Sequence, residues 1–140
     1  MNTDACKYWW LNTNPKVWDV NKLGFFEEEN THNAEGKKRR VYSNYASVRQ
    51  GDVVIGYETS PTRKVVAIYK VTKGIHKNTG NIEVITLEIL EKLNRTVNWD
   101  DIKGNPGLKD SEPVKINNRG SLFSLTLEEF QIIKGLVSKT

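Results

Sequence analysis

Short runs of β-branched and aromatic residues, each ended by a turn, dominate the pattern of apolar and polar positions along this chain. Runs of this kind predict strands at residues 8–11, 53–57, 65–71, 82–90 and 122–125. The turn between the second and third runs is short and contains a proline. These two strands are therefore expected to pair as a hairpin.

The segments between the first two strands have helix and loop patterns. Residues 15–23 begin with a proline and end before a glycine, which is typical of a short helix. Residues 27–40 are charged and polar, and this composition predicts an exposed loop. Ser43 or Asn44 is placed to cap a single helical turn before the second strand.

Two further helices are predicted in the second half of the chain. Asn98 precedes a short segment that ends at Gly104, which places a capping residue and a stop residue at its two ends. Thr126 and Glu129 form a capping-box pattern, and apolar positions at helical spacing follow over residues 127–137. This C-terminal helix is expected to pack on the sheet.

These elements predict a single domain over residues 1–140, because no repeat, low-complexity segment or linker divides the chain. The predicted class is α+β. Adjacent hairpins in so short a chain favour a small, strongly bent β-barrel of five to six strands, partly closed, with short peripheral helices and the C-terminal helix.

Composition narrows the function classes. Hydrophobic residues make up 37% of the chain and charged residues 27%, as in soluble domains. No apolar run approaches the roughly 18–20 residues of a membrane span, and the first residues lack a signal pattern, so we expect a cytoplasmic protein with no membrane partner. Cys6 has no second cysteine, and His32 and His76 are far apart, so neither a metal nor a cofactor is expected.

Carboxylates occur in two clusters, and neither indicates catalysis. Asp100 and Asp101 fall in the first turn of a predicted helix, where acidic residues favour the positive end of the dipole. Glu27, Glu28 and Glu29 fall in the predicted loop. The sequence contains no phosphate-binding glycine loop and no nucleophile elbow. We therefore predict a binding domain and not an enzyme.

Positive charge is mild in amount but clustered, with a net charge of +4. The cluster and the arginines that follow it are Lys37, Lys38, Arg39, Arg40, Arg49 and Arg63. A basic run of this kind is either a solvated loop or a surface that contacts phosphates.

Aromatic residues lie beside polar turns. Trp9 and Trp10 are neighbours in a predicted strand, so their side chains point to opposite faces. Either one packs in a core while the other is available to a ligand, or helices bury both. Asn12, Thr13 and Asn14 follow this strand, and their polar groups suit the edge of a base that stacks on an aromatic ring.

Four segments, taken in order, resemble the EVE family of the PUA-like superfamily, whose relatives include the YTH domains. They are YWWLNTNP at residues 8–15, RVYSNYA at 40–46, VRQGDVVIGY at 48–57 and VVAIYKV at 65–71. The similarity is close over the first half of the chain and lies in the pattern over the second half. The opening segment is most similar to the DNA-binding N-terminal domain of McrB-type modification-dependent restriction proteins.

The resemblance implies a small β-barrel whose basic cleft holds a flipped, modified base between aromatic side chains. The implied base-pocket residues are Trp10, Asn12, Thr13, Asn14, Trp18, Tyr42, Ser43, Asn44, Tyr57, Ser60 and Trp99. The implied phosphate contacts are the basic run 37–40 with Arg49 and Arg63. Glu58 departs from the family, which usually has a histidine there, and it places an acid near the cleft.

The predicted function is a nucleic-acid-binding reader domain that captures a flipped, methylated base of DNA. We expect it to serve as the recognition module of a modification-dependent restriction system, with DNA rather than RNA as partner and with a downstream motor domain or nuclease subunit. Two alternatives stay open. One is a reader of modified RNA bases, and the other is a module that binds proteins or small ligands and uses its aromatics only for structure.

Overall fold

The computed structural model describes residues 6–16, 26–94 and 97–138, and within them the chain forms six strands and four α-helices. The strands are β1 (Tyr8–Thr13), β2 (Phe26–Asn30), β3 (Val53–Glu58), β4 (Lys64–Lys77), β5 (Glu83–Lys92) and β6 (Leu122–Leu125). The helices are α1 (Tyr42–Ser47), α2 (Trp99–Lys103), α3 (Glu112–Lys115) and α4 (Leu127–Ser138), with a 3₁₀ turn at Pro106–Leu108.

The strands form one sheet in the order β2-β5-β4-β3-β1-β6. β1 pairs with β3 in parallel, and all the other pairs are antiparallel. The register shifts at several points in the β3–β4 and β4–β5 pairs, and such irregularities bend and twist a sheet. The sheet curls into a half-barrel, which confirms the predicted α+β class.

Each face of the sheet buries its own hydrophobic cluster. Trp9 packs with Tyr45 on one face, whereas Trp10 packs on the other with Ile102 of α2 and Ile133 of α4. Trp9 is 2% exposed and Trp10 is 0% exposed. Both indoles, those of Trp9 and Trp10, are therefore buried, as one of the two interpretations of the sequence predicts. Trp10 presents no face to a ligand, because helices cover it, so its prediction as an exposed pocket wall is wrong.

Helix α1 spans the gap between the two edge strands, β2 and β6. The Tyr45 hydroxyl donates a hydrogen bond to Glu29 Oε2 on β2 at 2.9 Å and shares a second one with Ser121 Oγ, just before β6, at 2.8 Å. Burial raises the pKa of the Tyr45 phenol far above its ordinary value, so it stays a neutral donor. One buried side chain thus joins the two edges of the half-barrel.

Strand β2 corrects the prediction of a loop over residues 27–40. Its sequence is polar because, among the strands that the structure describes, it lies at the edge of the sheet beside β5. Glu29 is nevertheless 7% exposed, and its Oε2 atom lies 3.7 Å from Arg39 Nη1. Burial raises the pKa of the Glu29 carboxyl, while the Arg39 charge and the Tyr45 hydrogen bond oppose that shift. A charge pattern alone does not distinguish a solvated loop from an edge strand of this kind.

Two helices have the caps that the sequence predicts. Asn98 and Asp101 form a reciprocal capping box at the start of α2. At the start of α4, Glu129 N donates to Thr126 Oγ1 and Thr126 N donates to Glu129 Oε1, both at 3.0 Å. These bonds satisfy backbone N–H groups that the first helical turn leaves unpaired.

Helix α1 begins differently from the prediction. Its N-cap is Val41, and no side chain caps it, so neither Ser43 nor Asn44 has the predicted capping role. Asn44 Nδ2 instead donates to Leu122 O at 2.8 Å, on the free edge of β6. The amide thus covers an exposed strand edge, the part of a sheet most prone to unwanted pairing.

Most of the helix predicted over residues 15–23 lies outside the described residues. Its first two residues, Pro15 and Lys16, are described and form a turn. Among the helices in the described ranges, none has both the length and the apolar character that crossing a membrane requires.

Removing the Tyr45 hydroxyl tests the joining of the sheet edges. We expect Tyr45→Phe to lower the free energy of unfolding by about 1–3 kcal/mol, because the buried Glu29 carboxylate loses a donor. Urea denaturation followed by tryptophan fluorescence measures the change. Tyr8→Phe is the control, since Tyr8 stacks on Phe130 and is only partly buried; a loss below about 0.5 kcal/mol is expected there. Equal losses in the two variants contradict the bridging role.

The raised pKa of Glu29 predicts a pH dependence of stability. Between the unfolded value and the raised native value, the native state binds more protons than the unfolded chain, so stability falls as pH rises through that window. Glu29→Gln lacks this titration. The unfolding free energy of the variant relative to the wild type is therefore expected to increase as pH rises from about 4.5. Urea midpoints measured at successive pH values check this, and a difference independent of pH refutes it.

Candidate functional site

A cleft of about 250 Å³ lies at the ends of β1 and β3, beside the start of β4. Its lining comes from parts of the chain that are far apart in sequence: the end of β3 and the next turn, the start of α2, and the turn after α3. The lining residues are Tyr57, Thr59, Ser60, Arg63, Trp99, Asn117 and Asn118. The parallel register sets Asn12 beside Tyr57 and so aligns the ends of the two strands.

Three lining residues have a left-handed backbone. The φ angle is 52° at Arg63, 55° at Asn117 and 59° at Asn118. This conformation costs roughly 1–2 kcal/mol for most side chains, although asparagine tolerates it better. Residues held in such conformations concentrate at functional sites. Their meeting in one cleft marks it as the candidate site.

Aromatic rings form the base of the cleft. Tyr57 stacks on Trp10 with ring centroids 5.0 Å apart, and Trp99 meets Trp10 edge-on at 6.1 Å and Tyr57 at 5.9 Å. Tyr57 is 2% exposed and Trp99 is 6% exposed. The rings therefore present a small part of their surface to a ligand, and the rest of the lining is polar.

Arg63 is the positively charged residue of the lining. Burial raises the pKa of the Tyr57 phenol, the hydrogen bond and charge of Arg63 oppose that shift, and the charge of nearby Asp100 adds to it. The guanidinium is permanently ionised and carries donors only. The lining, as far as the structure describes it, includes no carboxylate. These groups suit a neutral or anionic ligand that accepts hydrogen bonds.

Asn12 supports the cleft from the side that faces the core. Its Oδ1 atom accepts a hydrogen bond from Trp10 Nε1 at 2.9 Å. Its Nδ2 atom donates to Asn118 Oδ1 at 2.9 Å and to Gly120 O at 2.8 Å. The side chain is therefore engaged at both ends, and its role is to position the turn after α3.

Thr13 and Thr59 fix the turn on the other side. Thr59 N and Thr59 Oγ1 both donate to Thr13 O, at 2.9 Å and 3.1 Å. Thr13 Oγ1 donates a longer bond to Tyr57 O at 3.4 Å. These bonds continue the β1–β3 pairing beyond the strands and place Thr59 and Ser60 at the mouth of the cleft.

The structure brings together part of the predicted pocket. Three of the predicted base-pocket residues line the cleft, namely Tyr57, Ser60 and Trp99, and Arg63, predicted as a phosphate contact, lines it with them. Asn12 and Thr13 support it from behind. Asn14 is exposed, and its Oδ1 accepts a bond from Lys16 N at 3.0 Å, outside the lining. Trp18 lies outside the described residues.

The segment of Tyr42, Ser43 and Asn44 does not line this cleft, because α1 spans the sheet edges instead. Ser43 is exposed. Tyr42 belongs to a second cleft of about 530 Å³ where β4 ends and β5 begins, and its hydroxyl donates to Glu83 Oε1 at 2.7 Å. That bond is the main cause of the lowered pKa of the Glu83 carboxyl.

The predicted phosphate contacts have different surroundings. Arg63 lines the first cleft, and Arg39 faces the buried Glu29. Lys38 lines the second cleft, with its Nζ atom 4.5 Å from the centroid of the Tyr42 ring. The remaining three, Lys37, Arg40 and Arg49, are exposed.

Sequence reasoning missed Asn117 and Asn118. A signal for them was present, since the run Asn-Asn-Arg-Gly at residues 117–120 is typical of a turn with left-handed conformations. Nothing local in that run indicates that Asn118 meets Asn12, which is 106 residues away in sequence.

Comparison with known proteins gives a consistent result. The family model of the EVE domain matches residues 7–136. No curated protein matches the sequence.

Solved structures with low sequence identity share the fold. Rpa0253 from Rhodopseudomonas palustris has a TM-score of 0.76 at 20% identity, with 95% of this chain and 94% of that chain covered. A hypothetical protein from Leishmania major has a TM-score of 0.82 at 12% identity, covering 99% and 98%. ASCH from Zymomonas mobilis has a TM-score of 0.58 at 13% identity, covering 93% and 95%.

Asn12→Asp tests the positioning role of the Asn12 amide. The new carboxylate oxygen faces Gly120 O in place of a donor, so we expect the free energy of unfolding to fall by about 1–3 kcal/mol. Asn14→Asp carries the same charge and keeps the acceptor for Lys16 N, and a change within about 0.5 kcal/mol is expected. Urea denaturation measures both variants. If the two behave alike, Asn12 does not hold this turn.

Proposed function

Because the chain belongs to the EVE domain family, we propose that it binds a nucleic acid and captures one base in the cleft between Tyr57, Arg63 and Trp99. EVE domains are generally modules that bind nucleic acids or modified bases. The observation that carries the proposal is the meeting of strained polar residues and aromatic rings in one cleft that contains a permanent positive charge.

The size of the cleft supports a single base as the occupant. Its volume of about 250 Å³ is slightly below the roughly 300–1,000 Å³ range of clefts that hold drug-sized ligands. A base inside a duplex is out of reach of such a cleft, so it has to leave the stack first. Flipping costs a few kcal/mol, which contacts inside the cleft offset.

Further basic side chains lie toward the other end of β4, away from the cleft: Lys38 shares the second cleft with Lys77, and Arg49 lies against Gly74. The exposed residues Lys37, Arg40 and Arg49, together with Lys38 beside Tyr42, are available to phosphates. Contacts of this kind position a strand without reading its sequence, and they weaken as salt displaces them.

The finer proposal is that the strand is DNA and that the base is methylated, in the recognition module of a modification-dependent restriction system. The similarity of residues 8–15 to the opening of McrB-type proteins supports it. The aromatic base of the cleft supports it as well, because a methyl group adds apolar surface that contact with a ring buries. RNA as the target is the alternative outcome of the same test.

Titration with fluorescent oligonucleotides tests the proposal. The probes are methylated and unmodified DNA and RNA of one sequence, each as a single strand and as a duplex, at low and at high salt. We expect binding at low salt, weaker binding at high salt, and the tightest binding for methylated DNA. If no probe binds at low salt, the proposal is wrong; if methylation has no effect, the reader function is wrong while nucleic-acid binding stands.

Arg63→Ala is the variant that tests whether the cleft binds the nucleic acid. It removes the charge and donors of the cleft, and a roughly tenfold or larger loss of affinity is expected because hydrogen bonds from charged groups contribute about 1.5–3 kcal/mol. Lys70→Ala removes one exposed charge six residues along β4 from its start, about 20 Å away, and is expected to change affinity much less. Equal losses indicate a general charge effect and not a cleft.

A further inference from the structure

The outer edge of β6 has no charged residue. Its sequence is Leu-Phe-Ser-Leu at residues 122–125, a short run rich in apolar side chains. Among the described strands, β6 and β2 are the two at the ends of the sheet. β2 has consecutive glutamates at residues 27–29, and their charge opposes pairing with the same edge of a second copy. β6 lacks that protection, so strand addition there has to be prevented in another way.

The pairing with β1 determines which backbone groups of β6 face outward. Asn12 N donates to Ser121 O at 2.8 Å, so Ser121 and every second residue after it direct their backbone groups toward β1. The N–H and C=O groups of the residues between them, Leu122 and Ser124, therefore point away from β1. These are the groups with which an added strand would pair.

Two side chains already occupy part of this outward row. Asn44 Nδ2 donates to Leu122 O at 2.8 Å. Glu112 Oε1 accepts a bond from Ser124 N, also at 2.8 Å. The two side chains meet each other as well, with Asn44 Nδ2 3.5 Å from Glu112 Oε1. Helices α1 and α3, which come from distant parts of the chain, thus converge on the uncharged edge.

The outward groups of β6 are complementary to those of a second copy. If two copies meet antiparallel about an axis at Phe123, each Leu122 lies opposite the Ser124 of the other copy, and each such pair exchanges two N–H···O bonds. One bond of each pair joins Ser124 N to Leu122 O, and both of these groups are already engaged. The Asn44 and Glu112 atoms at 2.8 Å also stand where the atoms of an added strand would lie.

We propose that Asn44 and Glu112 together block strand addition at β6, and that without them this edge pairs with the same edge of a second copy. Neither residue lines the base cleft, so the proposal does not depend on the proposed function. A groove of about 520 Å³ lies at the edge, and its lining includes both side chains together with Leu125 and Leu127. Leu127 is 51% exposed, so an added strand finds room and apolar surface to bury there.

The test compares self-association of the wild type with that of the double variant Asn44→Ala/Glu112→Ala. Size exclusion coupled to light scattering measures the mass across a wide range of protein concentration. We expect the mass of the double variant to rise to twice that of the wild type. Hydrogen exchange locates the contact: the outward Leu122 amide, for which the described residues provide no partner, is expected to exchange roughly tenfold or more slowly in the dimer.

Two further variants make the result specific to this edge. Ser124→Pro, added to the double variant, removes an outward N–H at a position where an edge strand tolerates proline, so the wild-type mass is expected to return. Ser43→Ala/Glu128→Ala removes a hydroxyl and a carboxylate that are exposed and outside the edge contact, and it is expected to keep the wild-type mass. Thermal melting of each variant checks its folding. If the double variant does not fold, Glu112→Ala alone takes its place, because Glu112 is exposed.

Each outcome decides the proposal. A dimer of the edge variant with a protected Leu122 amide, which Ser124→Pro returns to the wild-type mass, supports it. A folded edge variant that keeps the wild-type mass at every concentration overturns it. A dimer that leaves the Leu122 amide unprotected, or that persists with Ser124→Pro, also overturns it, because another surface is then responsible. The same holds if Ser43→Ala/Glu128→Ala forms a dimer.

Discussion

The hydrogen bonds of one buried amide, that of Asn12, connect the core of this protein to its surface cleft. Asn12 ends β1, receives the indole N–H of Trp10 from within the core, and donates to the turn that contains Asn118 and Gly120. The buried indole N–H is a polar group that is costly to leave unpaired, and the same side chain also bonds the half-buried Asn118 and the carbonyl of Gly120. Contacts in the core therefore fix the geometry of the cleft, and they hold the Asn118 side chain in one orientation.

The half-barrel depends on a second polar contact on its open side. A six-stranded sheet that does not close leaves two edges, β2 and β6, and an open edge invites pairing with other chains. Tyr45 joins those edges through Glu29 and Ser121, and Asn44 covers the free side of β6. This contact buries the Glu29 carboxyl, and burial raises its pKa. The Arg39 charge partly offsets that rise. Helix α1 thus serves closure of the sheet, which explains why its residues lie away from the cleft.

The candidate site was predictable to the extent that its residues lie in recognisable local segments. Tyr57 and Ser60 follow a clear strand, Trp99 follows a capping asparagine, and Arg63 lies in the turn of a hairpin. The prediction for Trp10 was wrong because alternation along a strand indicates two faces but does not reveal what covers each one. Asn117 and Asn118 were missed because an asparagine-rich turn is common and its partner lies in another part of the chain.

By itself, the sequence determined the strands other than β2 and the second half of β4, the C-terminal helix with its capping box, the α+β class and the family resemblance. These features depend on contacts between near neighbours, which periodicity and capping patterns report directly. The tertiary structure alone decided which residues meet. The parallel pairing of β1 and β3 brings Asn12 to Tyr57, and the Asn12 amide reaches Asn118 across 106 residues of sequence. Contacts over such separations depend on strand register and chain path, which no local pattern encodes.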